Sequence, residues 1–258
     1  MAGLNRIWAV AQTTFRETIR NKILHNLLGF AIAMMGLAWV VSNWSIGEKD
    51  KVITDLGLTI TVLAGVVIAL FTGIVLVYGE VERRTILPIL SKPLHRWEFL
   101  VGKFVGFSAA VILVYYAMNL FLILLLSAMG RTITWQLLAG IYLASWELEL
   151  IVALALLFSA FTTPSLSALY TIMLFIAGRF SGDIKEFLSA NPLARSRPLL
   201  EVVYSIVPHL SAFNLRREAV HSLPINAAQV WWPSLYGAIY CILILFIAAL
   251  VFRRRDLA

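Results

Sequence analysis

The chain has 258 residues, of which 60% are hydrophobic and 14% charged, with a formal net charge of +7 and a single cysteine. A soluble domain carries roughly 45–50% apolar and about 25% charged residues, so this composition excludes an ordinary soluble domain. The lone Cys241 excludes an intrachain disulfide and a cysteine-based metal site, and the basic residues gather at the ends of apolar runs rather than along one soluble face, which argues against nucleic acid as a partner.

In chain order, the first element is an amphipathic helix in residues 1–23. Ile7, Trp8, Ala11, Phe15 and Ile19 recur at helical spacing, with Arg6, Gln12, Arg16 and Arg20 elsewhere around the wheel. Beside a membrane span, this pattern predicts a helix lying in the lipid interface, the alternative being an amphipathic helix packed on protein. The apolar run that follows is long enough to span and no small-x-small cleavage site comes after it, so an uncleaved first span is expected.

Apolar runs of about 20 residues can cross a hydrocarbon core about 30 Å thick. Six such spans are expected, at 24–43, 56–78, 104–129, 136–161, 165–180 and 231–252, forming one all-α membrane domain over residues 1–258. The polar stretch NWSIGEKDKVITD reads as the loop between the first two, and a shorter loop surrounds Gly130 and Arg131. Thr162, Thr163 and Pro164 stop one helix and start the next. Between the fifth and sixth spans lies an external segment, 181–230, in which Leu199, Val202, Val203, Ile206 and Val207 at helical spacing predict short helices.

The positive-inside rule orients the set. One side receives Arg6, Arg16, Arg20, Lys22, Arg83, Arg84, Lys92, Arg96, Lys103, Arg253, Arg254 and Arg255, whereas the short loops opposite hold Lys49, Lys51 and Arg131. Both termini and the segment 80–103 are therefore expected in the cytosol. That segment places Glu80, Glu82, Arg83, Arg84, Lys92, Arg96, Glu98 and Lys103 between two of the most apolar runs, interleaved with Ile86, Leu87, Ile89, Leu90, Trp97, Phe99 and Leu100. So much apolar surface on a loop reads as a docking surface for another protein.

The stretch EVERRTILPILSKPLHRWEFLVGK resembles the pattern after the second span of ABC-2 type permeases, the membrane subunits of one class of ATP-binding-cassette transporters. Glu82, Arg83, Thr85, Leu90, Ser91, Pro93, Arg96, Gly102 and Lys103 fall on its characteristic positions. Arg84 stands where glycine is usual, and Pro88 falls inside the coupling helix that the pattern implies. LALLFSAFTTPSLSAL (154–169) is similar to the family's boundary between the fourth and fifth spans. VPHLSAFNLRREAVHSLPI (207–225) resembles an external motif of one branch, with His209 where asparagine is usual.

The resemblance implies a permease subunit that pairs with a second permease, as homodimer or heterodimer, and with a cytosolic ATPase subunit. ATP and Mg would then lie on that ATPase, with no cofactor or metal in this chain, which carries no G-x-x-x-x-G-K-[ST] phosphate loop. It further implies that Glu82, Arg83, Arg84, Thr85, Ile86, Ile89, Leu90, Ser91, Pro93 and Arg96 couple the two subunits. The charges would set register and partner choice, and the apolar side chains would supply affinity. The expected setting is the cell (inner) membrane of a bacterium or archaeon, with lipids as further partners and an unidentified substrate moved outward.

Glu147 and Glu149 sit near the middle of the fourth run. Two carboxylates there cost roughly 5–7 kcal/mol on insertion scales, against roughly 4–8 returned by the large apolar residues of the run. Insertion is near balance, so neighbouring helices, water or protonation must help. Two residues apart means about 200° around a helix, so the pair cannot share one narrow site. They read either as structural groups at a helix or dimer contact or as groups lining a pathway, Glu149 being the stronger pathway candidate and Arg179 a possible partner. The rival classes are an intramembrane enzyme using one of these carboxylates, and a scaffold or channel working without ATP. No activated nucleophile stands out, since Ser159 has no placed base and His25, His95, His209 and His221 are scattered.

Overall fold

The computed structural model describes residues 2–42, 48–82, 95–182 and 207–254. Within them the chain is helical throughout: α1 (Ala2–Ile19), α2 (Lys22–Ser42), α3 (Lys49–Glu82), α4 (Arg96–Ala128), α5 (Trp135–Ser159), α6 (Pro164–Arg179), a 3₁₀ turn (Leu210–Phe213), α7 (Arg216–His221) and α8 (Ala227–Arg254). Five of these, α2, α3, α4, α5 and α8, contain stretches long and apolar enough to cross a membrane. Helix α6 has 16 residues, short of the about 20 that a perpendicular crossing takes.

Helix α5 is the hub. Most of its side chains are buried, and it packs against α3, α4, α6, α7 and α8. Buried Leu148 and Ile151 join Val62 and Val66 of α3 and Val111 and Tyr115 of α4 in the main core, while Leu150 and Leu154 face Ile244 of α8. Leu148 fits against α3 where Gly65 leaves room for it. Helices α2 and α8, by contrast, leave Phe30, Leu37, Ile242 and Phe246 exposed, as suits faces that meet lipid tails or another chain.

Helix α1 lies along the start of α4, and its fully buried face shares only Ala11 with the apolar stripe seen in the sequence. Ala11, Thr14 and Thr18 are buried, whereas Leu4 and Trp8 are exposed. The reason lies across the interface, where α4 presents Gly102 and Gly106 four residues apart. A Cβ at Gly102 would come within 2.9 Å of the Ile7 carbonyl, and one at Gly106 would run into the Ala11 carbonyl. Small residues on both helices let the backbones approach, Ile7, Phe15 and Ile19 are half-buried beside the contact, and Leu4 and Trp8 are left outside.

The polar stretch after the first span is shorter as a loop than expected, because α3 begins at Lys49 and takes in all of KDKVITD. Helix α4 likewise begins at Arg96, eight residues before the expected third span, and His95 and Glu98 cap it reciprocally. At about 1.5 Å per residue, α3 and α4 are each roughly 50 Å long, well beyond a core of about 30 Å. The turn between α5 and α6 matches the sequence reading: Thr163 is the N-cap and Pro164 the first helical residue.

Candidate functional site

The residues of the implied coupling segment divide at the limits of the described structure. Glu82 is the last residue of α3 and Arg96 the first of α4. Arg83, Arg84, Thr85, Ile86, Ile89, Leu90, Ser91 and Pro93 lie outside the described residues, as does the predicted helical run from Leu199 to Ile206.

The two carboxylates of α5 are described in full, and they point into different surroundings. Glu147 lies 12 residues into α5, about 18 Å along its axis. It is fully buried, and Nη1 of Arg179, at the end of α6, donates to its Oε1 at 2.9 Å and its Oε2 at 2.8 Å. A buried carboxylate without such a partner would be strongly destabilising, so the pair accounts for how α5 tolerates Glu147. Glu149 faces away from it and accepts a hydrogen bond from Ser108 of α4.

Around the Glu147–Arg179 pair the helices leave a cavity of about 210 Å³. Leu58, Val62, Phe175 and Phe213 supply apolar walls, and Thr59, Asn214 and Arg216 supply polar ones. Arg216 is anchored to α3: its Nε donates to Asp55 Oδ1 at 2.8 Å and its Nη1 to Thr59 Oγ1 at 2.5 Å. One turn nearer the start of α3, Arg131 donates to the carbonyl of Asp50 at 2.5 Å, to the Thr54 hydroxyl and to the carbonyl of Val220 at 3.1 Å. Three arginines thus follow α3 from its first turns to the buried Glu147.

Local sequence explains how Arg216 gets there. In the 207–225 stretch, Leu210 and Phe213 are fully buried against α5 and α8, and Phe213 stacks near Tyr236 at 6.0 Å between ring centroids. That anchor fixes the short turn, from which α7 starts with Arg216 facing α3. Sequence reasoning named Arg179 as a possible partner of the carboxylates, but it missed Asp55, Thr59, Ser108 and Arg216. Their partners are distant in the chain, Arg216 and Thr59 being 157 positions apart, so no local periodicity could reveal them.

Among the described residues, no group of three His, Cys, Asp or Glu side chains is placed to hold a metal ion. The arrangement offers two charged, partly enclosed sites on opposite sides of one buried helix, which suits recognition within a membrane domain.

Comparison with known proteins agrees with that setting. Residues 5–257 match the family described as ABC-2 family transporter protein. A protein of Stutzerimonas stutzeri named "Probable ABC transporter permease protein NosY" is 33% identical over 110 residues, covering 40% of this chain and 39% of the relative. Its namesake in Pseudomonas aeruginosa is 31% identical over 104 residues, covering 39% of this chain and 38% of that protein. The aligned stretches therefore span well under half of each relative's length. Since the family match extends from residue 5 to residue 257, the protein belongs to the ABC-2 family of transporter proteins.

Proposed function

We propose that the chain is the membrane permease subunit of an ABC transporter, moving an unidentified substrate outward across the cell membrane. The family match over nearly the whole chain carries this reading, and the five long apolar helices and the permease name of both relatives support it. The chain pairs with a second permease, a copy or a paralogue, and each permease engages a cytosolic ATPase subunit that holds ATP and Mg. In this reading α6 is the sixth crossing element, α1 lies at the cytosolic lipid interface, and both termini are cytosolic.

The coupling segment, 80–103, receives the ATPase. Because α3 runs unbroken to Glu82 and α4 starts at Arg96, a push on residues 83–95 moves two helices that reach into the core around α5. Ile86, Ile89 and Leu90 provide buried contact, and Glu82, Arg83, Arg84 and Arg96 set register and partner choice.

The test is co-expression with the ATPase subunit encoded by a neighbouring open reading frame with Walker motifs. A stoichiometric complex that hydrolyses ATP is expected. A folded, membrane-inserted permease that does not associate with that ATPase would overturn the proposal.

A further inference from the structure

On the side of α5 away from Glu147, the helices α4, α5 and α8 form a groove of about 540 Å³, within the range of sites for drug-sized ligands. Its walls are apolar and aromatic, with Phe104 and Tyr116 from α4, Tyr142 and Trp146 from α5, and Ile242 and Leu245 from α8. Tyr116, Tyr142 and Ile242 are exposed on the surface of the bundle, so the groove opens sideways, toward lipid.

Among the described residues, the one charged side chain lining this groove is that of Glu149. Its Oε2 accepts from Ser108, and among the described residues its Oε1 has no hydrogen-bond partner and no cation pairs with it. This separates it from Glu147, whose charge Arg179 answers at 2.8 Å. One turn before Glu149, the Nε1 of Trp146 is buried with no partner among the described residues. A negative charge in an apolar membrane groove carries a large desolvation cost, and a bound cation offsets it. Aromatic faces add attraction for a cation whose charge is spread over an organic body.

We infer that the groove around Glu149 is a binding site for a lipophilic organic monocation that enters laterally from the membrane. The carboxylate supplies the counter-charge, and the aromatic rings of Phe104, Tyr116, Tyr142 and Trp146 enclose the apolar body. The inference names a substrate class for the proposed transporter and to that extent rests on that reading. Binding itself needs no ATPase, so failure of the complex to form and failure of the site to bind are separate results.

The experiment uses the full chain in phosphatidylcholine nanodiscs, with empty nanodiscs subtracted, and two probes of matched size and opposite charge, radiolabelled tetraphenylphosphonium and tetraphenylborate. Saturable binding of the cation is expected. Glu149→Gln, which keeps the shape and removes the charge, should weaken it about tenfold, equivalent to about 1.4 kcal/mol, without weakening any binding of the anion. Ala109→Trp, which fills the groove and leaves the carboxylate in place, should abolish it. Equal cation binding by wild type and Glu149→Gln would overturn the inference. So would a lack of saturable cation binding by the folded wild type, the result expected if a second copy of the chain or ordinary phospholipid occupies the groove.

Discussion

The Glu147–Arg179 pair gives the sharpest energetic prediction, because the two partners differ in what they can do when left alone. Glu147 is 0% exposed and has both oxygens bonded to one guanidinium nitrogen, whereas the Arg179 side chain is 25% exposed. Arg179→Gln strands a carboxylate beside a cavity walled by Val62, Ala144 and Phe175 and should cost about 3–5 kcal/mol, the range for breaking a buried pair from one side. Glu147→Gln leaves a long, partly exposed cation that can swing into the cavity, and should cost about 1.5–3 kcal/mol, the range for a hydrogen bond to a charged group. The double variant, with two neutral amides of similar shape, should be more stable than Arg179→Gln alone. Equilibrium unfolding in mixed micelles, followed by tryptophan fluorescence, gives the four values of the cycle. The reasoning fails if the two single losses add to within about 0.5 kcal/mol, since independent sites do that.

Three further outcomes follow from the packing and the proposed coupling. Gly106→Val should undock α1 from α4, because its side chain meets the Ala11 backbone; a loss of about 1–3 kcal/mol and new protease sensitivity before Asn21 are expected, and an unchanged digestion pattern would count against the interface. Arg216→Gln should cost no more than about 1 kcal/mol in unfolding, since Arg216 and Asp55 are 39% and 42% exposed, so a large destabilisation would show that this pair does more than the structure implies. Leu90→Asp should leave the permease inserted yet break the link between ATP hydrolysis and transport; normal coupling in reconstituted vesicles would remove Leu90 from the docking surface.

What the sequence made legible follows from the range of the physics involved. Five of the six expected spans could be read because crossing a bilayer takes about 20 apolar residues in a row, whereas the expected span at 165–180 is the 16-residue α6; Pro164 could be read as a helix start because it lacks a donor that the first turn does not use. The start of α3 was missed because Lys49, Asp50, Lys51 and Asp55 look like loop residues; Lys51 pairs locally with Glu48, but the bonds from Arg131 to the Asp50 carbonyl and from Arg216 to Asp55 come from far along the chain. The buried face of α1 was hidden for another reason. Alanine, threonine and glycine carry little hydropathy signal, and their value lies in letting two backbones approach, which only the partner helix reveals. The angular separation of Glu147 and Glu149 was computable from helix geometry, but Ser108 as a neighbour of one of them was not.

Cysteine labelling in membranes of known orientation tests the central claim most directly. In a chain whose only native cysteine, the buried Cys241, is replaced by alanine, single cysteines are placed at Arg83, at Arg96 and, on the opposite side, at Thr132. A membrane-impermeant maleimide should label the first two only in inverted vesicles and the third in intact cells. Labelling at Arg83 and Arg96 from outside intact cells would put the segment out of reach of any cytosolic ATPase and contradict the account.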